Sequence, residues 1–373
     1  MKIILINAFS ARLGGGQTYV KNLLSRLPTD DCLIYIFAPD DLLIPNDGRI
    51  KRLRTGFPVT NPIIRLFWER IVLPLILKQL RVDILFCPGG MVNTKVPSEC
   101  VVVTMFRNML PFDNRALNST NSLLLKIKNR LLKLSMLSSM RKADLVIFIS
   151  EYARSVVESH QPIKKGLTIP HGVSENFLVG NDDLKRPVLP FSGGYILYVS
   201  RFEFYKRHLE LINAYALLPV SIRETQKLLI VGGHDTLSGM NVKKRIVELG
   251  IENQVVLLGE YPYLDLPAVY KHASLFVFAS VCENCPNILL EAMGAGVPIL
   301  CSDYQPMPEF GGESVRYVSP DDPKIMRDEI AELLSNSELI AQMRGKVACR
   351  AKLYSWDQAA RKTWEALLSL KVE

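Results

Sequence analysis

The stretch that decides the fold reads Ser280-Val-Cys-Glu-Asn-Cys-Pro-Asn-Ile-Leu-Leu-Glu-Ala-Met-Gly-Ala-Gly-Val-Pro-Ile-Leu-Cys-Ser-Asp303. The apolar residues 275–279 just before it predict a buried strand. Asn284 or Cys285 is the expected N-cap of a following helix, and Pro286 is preset for its first turn. The sequence therefore predicts a strand that leads directly to a helix N-terminus. Free backbone N–H groups and the positive end of the helix dipole can bind an anion or sugar hydroxyls there.

Two carboxylates bracket this helix start, Glu283 on the loop and Glu291 eight residues later inside the helix. The neighbours of Glu291 at 288–290 and 292–293 are apolar, so the helix has no polar face and is expected to be buried. A buried carboxylate costs several kcal/mol unless it is hydrogen-bonded. A diol is a suitable partner because one carboxylate can accept hydrogen bonds from two adjacent hydroxyls.

This Glu-x7-Glu arrangement, followed by Ala-Met-Gly-Ala-Gly-Val-Pro, resembles the retaining glycosyltransferases of family 4, which have the GT-B fold. The resemblance implies an α/β chain with two Rossmann-like domains facing each other across a cleft. It also implies that Glu283 faces the donor sugar and that Glu291 holds the ribose of a nucleotide-sugar. The alternative, an incidental acidic pair on a capped helix, is disfavoured because spacing, proline and trailing glycines all agree.

Length and composition set further bounds. At 373 residues the chain exceeds what one core usually serves, so two domains are expected. No apolar run approaches the roughly eighteen residues of a membrane span, and the start turns directly into a strand, so we expect no signal peptide and a cytoplasmic location. Seven scattered cysteines favour a reducing compartment. Cys282-x2-Cys285 lacks a second pair or a histidine cluster, so neither a metal nor a cofactor is expected.

The net charge of +8 is unevenly distributed. Residues 1–175 carry 24 Lys and Arg against 13 Asp and Glu, whereas the later residues carry 21 against 24. A basic half of this kind indicates a polyanionic partner, either nucleic acid or an anionic membrane surface. The basic helix described next favours the membrane. We therefore expect no nucleic-acid partner and a location that includes the inner face of the membrane.

Residues 118–142 predict an amphipathic basic helix, in which leucine, isoleucine and methionine alternate with six Lys or Arg. Such a helix can lie on anionic lipid, where each cation near the surface adds roughly 1 kcal/mol. The alternative is an ordinary domain helix with its apolar stripe in the core and its charges in solvent. Residues 62–80, with Trp68, Leu73, Leu75 and Ile76, are open to the same two interpretations.

The first half alternates short apolar runs with helical stretches, which predicts a parallel sheet covered on both sides. A glycine loop follows the first strand, but it is neither the dinucleotide fingerprint nor a P-loop, which makes a dehydrogenase the least favoured enzyme. The family resemblance implies that Gly15 and Gly16 of this loop lie beneath the donor phosphates and border the acceptor. A tight strand-to-helix turn is the alternative for the loop.

Two loops, 87–90 and 106–112, leave strands at the edge where ligands bind, so both are expected to face the acceptor. The family often carries a histidine after the strand corresponding to 101–104, but this chain has Arg107 and Asn108 there. Either residue is a candidate to replace that histidine as a sugar or phosphate contact, against a plain loop. The resemblance also places His171 near the cleft, although a lone histidine in a turn is more often structural.

The second half supplies the predicted donor site. Arg201 and Lys206 lie five residues apart after a buried strand and can converge on one diphosphate, Arg as a planar fork and Lys as a mobile charge. The family's Arg-x4-Lys pair occupies this position, so the resemblance implies that role. The other implied donor contacts are Gly232, Gly233, Glu260, Tyr261, Asn284, Glu291 and the helix amides of Asn287 and Ile288.

These observations predict an acceptor-binding domain over 1–175, a linker over 176–193, a nucleotide-sugar domain over 194–355 and a final helix over 356–373 that crosses back to the first domain. The predicted function is retaining transfer of a hexose-type sugar from a nucleoside diphosphate sugar to a hydroxyl of a glycan or glycolipid, in cell-surface polysaccharide or lipopolysaccharide assembly. A nucleotide-sugar epimerase and a non-catalytic nucleotide-sugar binding subunit are the alternatives.

Overall fold

The computed structural model describes residues 1–11, 14–29, 32–178 and 184–371. Contacts between Cα atoms divide the chain into two compact units. The first unit comprises Met1–Phe112, Ser122–Gly172 and Trp356–Glu373, and the second comprises Asp113–Asn121 and Val173–Ser355. The last helix therefore packs with the first unit, whereas residues 113–121, which lie inside the predicted first domain, pack with the second. Part of the predicted linker, 179–183, lies outside the described residues.

The described residues form two parallel sheets, one in each unit, which confirms the predicted α/β class with two Rossmann-like sheets. The strands are short apolar runs, as expected where both faces of a sheet are covered by helices. The strands of the first sheet are β1 Lys2–Asn7, β2 Cys32–Phe37, β3 Ile50–Arg52, β4 Ile84–Cys87, β5 Val101–Phe106, β6 Leu145–Phe148 and β7 Gly166–Thr168. Those of the second are β8 Gly194–Val199, β9 Gln226–Val231, β10 Val255–Gly259, β11 Leu275–Phe278, β12 Ile299–Ser302 and β13 Arg316–Val318.

The helices of the described residues follow in chain order. They are α1 Gly15–Leu24, α2 Pro62–Gln79, α3 Asn114–Asn118, α4 Leu123–Lys142, α5 Glu151–Glu158, α6 His208–Ala216, α7 Val220–Thr225, α8 Leu237–Glu248, α9 Leu266–Lys271, α10 Asn287–Gly294, α11 Met307–Gly311, α12 Pro323–Ser335, α13 Ser337–Ala351 and α14 Trp356–Leu368. Side chains that accept hydrogen bonds from first-turn amides mark several starts, for example Asn61 at α2 and Ser122 at α4.

Each sheet reverses its strand order once. The first sheet runs β3-β2-β1-β4-β5-β6-β7, so β1 and β4 are the neighbours at which the order turns. The second runs β10-β9-β8-β11-β12-β13, so β8 and β11 are the corresponding pair. Open parallel sheets bind ligands outside the carboxyl ends of the strands at such a reversal. We refer to these two places as the first and the second switch point.

Helix α14 is joined to α1 within the first unit. The indole N–H of Trp364 donates to the carbonyl oxygen of Leu23 at 3.2 Å, and the hydroxyls of Tyr19 and Thr363 lie 3.3 Å apart. All these side chains are buried. The final helix thus completes the packing around α1, the helix that follows the glycine loop.

Helix α4 presents a stripe of five large apolar residues to solvent, so the interpretation that this stripe packs in the core is wrong. Its buried side includes Asn129, Ser139 and two methionines. The exposed large apolar residues are Leu123, Leu124, Ile127, Leu131 and Leu134. At about 100° per residue these five fall within an arc of about 100°. The helix is therefore inverted relative to an ordinary core helix.

Helix α2 shows the same feature on part of its surface. Trp68, Leu73 and Leu77 are buried in the first unit, as the core interpretation predicts. A second stripe, spaced four residues apart, is exposed and consists of Ile63, Phe67, Ile71 and Leu75. The helix thus has one apolar face in the core and another in solvent.

Candidate functional site

The predicted donor residues follow neighbouring strands of the second sheet. They occur in this order: Glu260 after β10, Gly232 after β9, Arg201 after β8 and Glu283 after β11. Because the strands are parallel, all these residues leave the sheet at the same edge. The sequence could not give this order, since residues 28 to 82 positions apart become neighbours only through the strand pairing.

An ion pair spans the second switch point. The Lys206 ammonium donates to Oε1 of Glu283, and the two side chains are only 10% and 14% exposed. Lys206 follows β8 and Glu283 follows β11, so the pair joins the loops on either side of the strand reversal. The ammonium nitrogen also lies 5.5 Å from the ring centre of Tyr205 and 5.7 Å from that of Phe278. A cation in this setting is positioned for an anion that enters the edge.

The loop that carries Lys206 is fixed by its neighbours. The hydroxyl of Tyr198 donates to the carbonyl oxygen of Lys206 at 2.6 Å. Arg207, the next residue, has φ 54°, which is uncommon for a residue other than glycine. Its guanidinium is held by Glu210 at 2.8 Å and by Asp321 at 2.7 Å. These contacts keep Lys206 aimed at the switch point.

His208 packs beneath this loop and is uncharged. Its ring stacks on Phe202 with centres 4.0 Å apart and shares a hydrogen bond with the Ser200 hydroxyl at 3.0 Å. Burial, together with the smaller effect of the nearby Lys206 charge, lowers the pKa of His208 to about 3. Near neutral pH the uncharged histidine therefore does not compete with Lys206 for an incoming anion.

Arg201 is exposed at the end of β8, and the backbone beside it requires glycine. Gly232 has φ 145°, and a Cβ atom there would lie 2.0 Å from the carbonyl oxygen of Ser200. The carbonyl oxygen of Gly233 accepts the Phe202 N–H at 3.2 Å. The loops after β8 and β9 are thus in direct contact beside the exposed Arg201.

The sequence argument offered a diol as a suitable partner for Glu291, and the structure adds two partners from the protein itself. Glu291 is half-buried, and its two oxygens accept from Tyr263 at 3.1 Å and from Tyr270 at 3.3 Å. Burial raises the pKa of Glu291 and the two tyrosine hydroxyls offset part of that rise, which leaves the pKa at about 7. A carboxylate has about four lone-pair sites, so two remain for the hydroxyls of a ligand.

The start of α10 also differs from the prediction. The helix begins at Asn287 and Pro286 is its cap residue, so the proline precedes the helix instead of lying in its first turn. The Asn287 N–H donates to the carbonyl oxygen of Cys285 at 3.0 Å. Of the two amides predicted to face the diphosphate, only that of Ile288 has no backbone acceptor among the described residues.

Several first-unit candidates lie together. A Cβ atom on Gly16 would lie 3.6 Å from a guanidinium nitrogen of Arg107, whose guanidinium carbon is 5.5 Å from the ring centre of Tyr19. The ring of Tyr19 packs on His171 at 5.5 Å, and His171 stacks on Trp356 at 5.3 Å. His171 is thus buried in an aromatic cluster, which favours its structural interpretation. Gly15 opens α1 beside Gly16.

Asn108 lines a different cavity, of about 160 Å³, at the first switch point. The same cavity contains Glu69, which the sequence reasoning missed. The signal was available, since Glu69 is the only acid in the otherwise apolar and basic helix α2. The argument that singled out Glu291, an acid among apolar neighbours, applies to it equally.

Two family models match the chain. The model described as "Glycosyltransferase Family 4" matches residues 13–177, and the one described as "Glycosyl transferases group 1" matches residues 182–348. The matches meet near the boundary between the two sheets. The chain belongs to this family of glycosyltransferases.

Relatives and solved structures agree with that assignment. The O-antigen chain mannosyltransferase B of Escherichia coli is 29% identical to this glycosyltransferase over 250 residues, which is 65% of this chain and 65% of that protein. The sucrose-phosphate synthase of Thermosynechococcus elongatus has a TM-score of 0.76 with 17% identity over 98% of both chains. Anabaena HepE in complex with UDP and glucose has a TM-score of 0.72 with 16% identity, over 99% of this chain and 100% of that one. The two structures confirm the predicted GT-B fold.

The described residues contain neither a metal-binding cluster nor a helix that could span a membrane. No group of three or more His, Cys, Asp or Glu side chains in the described part of this glycosyltransferase is arranged to hold a metal ion. Within the same residues, no helix is both long enough and apolar enough to pass through a bilayer.

Proposed function

We propose that this glycosyltransferase moves a sugar from a nucleoside diphosphate sugar to a hydroxyl of a glycan or glycolipid acceptor, with retention of configuration, in the assembly of a cell-surface polysaccharide or lipopolysaccharide. The observation that carries the proposal is the Lys206–Glu283 ion pair across the second switch point, with Arg201 on the same strand end. The similarity to relatives such as the O-antigen chain mannosyltransferase supports the choice of pathway class.

The proposed chemistry follows from where charge develops. The bond between the sugar's anomeric carbon and the β-phosphate oxygen breaks, and the electron pair goes to the phosphate. Arg201 and Lys206 stabilise that growing negative charge, which is the kind of contribution that costs 10²–10³ in rate when one donor is removed. The acceptor oxygen bonds to the same face of the carbon, and its proton passes to the departing phosphate oxygen. Glu283 holds Lys206 and faces the donor sugar.

In this proposal no metal ion and no cofactor takes part. The two cations and the amide of Ile288 supply the positive charge that a divalent ion supplies in metal-dependent transferases. Activity is expected to survive dialysis against a chelator and to be unchanged by added magnesium. A chelator-sensitive activity that magnesium restores would overturn this part of the proposal.

The main experiment measures transfer, not only binding. Arg201→Ala and Lys206→Ala are compared with the wild type and with Arg327→Ala, a matched control at a helix position of the same unit. We expect a hundredfold or greater loss of turnover in the first two and none in the control, with unchanged melting temperatures. Proton NMR of the first product formed reports the anomeric configuration, and an inverted product would exclude retention.

Incubation with donor alone separates the rival activities. An epimerase would release an altered sugar without acceptor, whereas a binding subunit would neither transfer nor slowly hydrolyse the donor. The proposed transferase is expected to hydrolyse the donor slowly and to transfer the sugar once acceptor is added. Either rival result would replace the proposal.

We further propose that α2 and α4 place the first unit on an anionic membrane surface. The exposed apolar arc of α4 is flanked by Lys128, Arg130 and Arg141, and residues 1–175 together carry a net charge of +11. Apolar side chains enter the interface while the cations meet lipid phosphates. This arrangement suits an enzyme whose acceptor is a glycolipid.

Vesicle pelleting tests the membrane proposal. Leu124→Glu and Leu131→Glu change exposed residues, so folding should be unaffected, and both should reduce binding to vesicles that contain phosphatidylglycerol. Leu237→Glu is the control, because Leu237 is exposed on α8 of the other unit. Binding that does not depend on anionic lipid, or that survives both substitutions, would overturn the membrane proposal.

A further inference from the structure

We propose that the cavity at the first switch point binds the hydroxyl groups of a neutral sugar ring on the acceptor, with Glu69 as the hydrogen-bond acceptor. The inference rests on the proposed function only for the statement that this sugar belongs to the acceptor. The binding itself stands on the geometry of the first unit.

The cavity lies where an open parallel sheet binds ligands. Asn7 is the last residue of β1 and Asn93 follows β4, the two strands at which the order of the first sheet reverses. Asn108 follows the next strand, β5, and also lines the cavity. Glu69 enters from α2. Three strand-end loops and one helix therefore bring polar side chains to a single place at the carboxyl edge.

Glu69 is a buried carboxylate that is only partly satisfied. It is 6% exposed, and its two oxygens accept from the Asn7 amide at 3.0 Å and from the Asn93 amide at 2.7 Å. Among the described residues no cation forms an ion pair with it. About two of its four lone-pair sites are therefore unused. A buried anion is stabilised by additional hydrogen-bond donors, and the hydroxyls of a ligand would supply them.

The cluster suits hydroxyl groups better than anions. Each hydroxyl both donates and accepts, and the cluster offers carboxylate oxygens as acceptors beside two side-chain amides. A phosphate or carboxylate on the ligand would be repelled by the Glu69 charge. Arg65, one turn earlier on α2, also lines the cavity, so a phosphate bound by Arg65 is the competing occupant that the experiment must separate.

The remaining walls fit the apolar face of a sugar. Leu132 and Met136 of α4 add apolar side chains to the lining of the same cavity. The volume of about 160 Å³ is well below the roughly 300–1,000 Å³ of sites for drug-sized ligands, and is suited to one ring. Gly89 and Ser10 also line the cavity, and a Cβ atom on Gly89 would lie 1.9 Å from the hydroxyl oxygen of Ser10. The backbone after β4 therefore approaches Ser10 as closely as a glycine allows.

The experiment measures ligand binding to the full chain without donor. The probes are octyl glycosides of neutral hexoses, their singly deoxygenated analogues and a hexose 6-phosphate, followed by saturation-transfer NMR. We expect a neutral glycoside to bind and Glu69→Gln to weaken that binding about tenfold or more, the usual range for a hydrogen bond to a charged group. Removing the hydroxyl that Glu69 contacts should weaken binding to the wild type but cause no further loss in the variant.

A second variant and a control keep the result interpretable. Asn93→Ala removes one amide and leaves the Glu69 carboxylate in place, so it should weaken glycoside binding less than Glu69→Gln does. This variant provides the test if Glu69→Gln fails to fold. Glu99→Gln changes an exposed acid on the same β4–β5 loop and should have no effect. Equal binding by the wild type and a folded Glu69→Gln protein would overturn the inference, because it would show that Glu69 only ties α2 to the strand-end loops. Preferential binding of the sugar phosphate, lost in Arg65→Gln, would overturn it in favour of a phosphate site.

Failure of this inference and failure of the proposed function give different results. If the wild type transfers no sugar to any acceptor but binds neutral glycosides through Glu69, the transferase proposal is wrong and the binding site stands. If transfer occurs and Glu69→Gln changes neither glycoside binding nor the KM for acceptor, the site is wrong and the transferase proposal stands.

Discussion

The two switch points have opposite electrostatic character although the same kind of sheet builds both. At the second, the acid Glu283 is paired with the cation Lys206, and Arg201 adds a further cation at the strand end. At the first, the acid Glu69 meets two neutral amides. A place with surplus cations suits a diphosphate, whereas a carboxylate among amides suits uncharged hydroxyls. The comparison shows that the side chains at the strand ends, not the fold, set the ligand class.

The largest expected effect comes from separating the ion pair at the second switch point. Lys206→Ala should lower kcat by a factor of roughly 10²–10³, because a charge that stabilises the departing phosphate is lost. Glu283→Gln should also lower kcat, yet it should tighten binding of the nucleoside diphosphate product, since Lys206 loses its competing carboxylate. Titration calorimetry with the diphosphate checks the second point.

The exposed Glu332→Gln serves as the control for Glu283→Gln, and it should alter neither quantity. Weaker diphosphate binding in Glu283→Gln than in the wild type would contradict the view that the acid restrains this cation. It would then be better to describe Glu283 as a group that only orders the loop.

A backbone substitution should have the next largest effect. Gly232→Ala introduces a Cβ atom 2.0 Å from the carbonyl oxygen of Ser200 at a positive φ, so the β8 and β9 loops must separate. We expect a loss of roughly 1–3 kcal/mol in the free energy of unfolding, with much weaker donor binding. Binding of neutral glycosides at the first switch point should be unchanged.

Gly345→Ala is the matched control, because Gly345 is inside α13 and has no neighbouring atom within 4 Å of the new Cβ. It should stabilise the protein by roughly 0.5–1 kcal/mol. If Gly232→Ala left donor affinity unchanged, the close contact between the β8 and β9 loops would not contribute to donor binding at the second switch point.

The pH dependence of donor binding tests the role of Glu291 in the second unit. The pKa of Glu291 is about 7 in the free protein, and ribose hydroxyls that donate to it would favour the ionised form. The affinity for an intact nucleoside diphosphate sugar should therefore rise with pH up to about 7, by at most about tenfold per pH unit, and then level off. Glu291→Gln should make the profile flat.

The same raised pKa has the opposite consequence for stability. Between the ordinary value of 4.5 and about 7 the folded protein binds more protons at Glu291 than the unfolded chain does. The contribution of Glu291 to the free energy of unfolding therefore falls as pH rises through this window.

For donor binding the contradicting outcome is the reverse pH dependence. A donor affinity that falls with rising pH would contradict the proposed contact between Glu291 and the ribose.

At neutral pH the smallest expected effect comes from His208, which acts on the acid stability of the second unit. His208 has a pKa of about 3 in the folded protein against 6.5 ordinarily, so the unfolded chain binds the extra proton between these values. The free energy of unfolding should fall as pH decreases from about 6.5 towards 3, with His208 contributing a slope of up to one proton. His208→Asn should reduce that slope in urea titrations at several pH values, and an unchanged slope would contradict the role of its burial.

Much of the donor side could be predicted from the sequence because its signals are local. A strand that leads to a glycine pair or to the Glu-x7-Glu segment can be recognised from short-range spacing alone. The structure places the residues that follow these strands at one edge of the sheet, namely Arg201, Gly232, Glu260 and Glu283. The partners could not be predicted. Lys206 and Glu283 lie 77 residues apart, and only the adjacency of β8 and β11 pairs them.

Helix orientation was the other part that the sequence left undecided. The periodicity of α4 gives an apolar stripe but not the direction in which it faces, and the structure turns that stripe to solvent. Glu69 was missed for a related reason. Its isolation in α2 is visible in the sequence. Its hydrogen bonds cannot be predicted there, because Asn7 and Asn93 reach it from the ends of two different strands.

The packing of α14 on α1 has a consequence for biosynthesis. Between Gly172 and Trp356 the chain builds the second unit, so a ribosome that adds about 5–20 residues per second needs roughly ten to forty seconds to reach the helix that covers Tyr19 and Leu23. During that interval an apolar surface of the nascent first unit is open to chaperones. Helix α14 thus covers a helix, α1, that the ribosome has completed more than three hundred residues earlier.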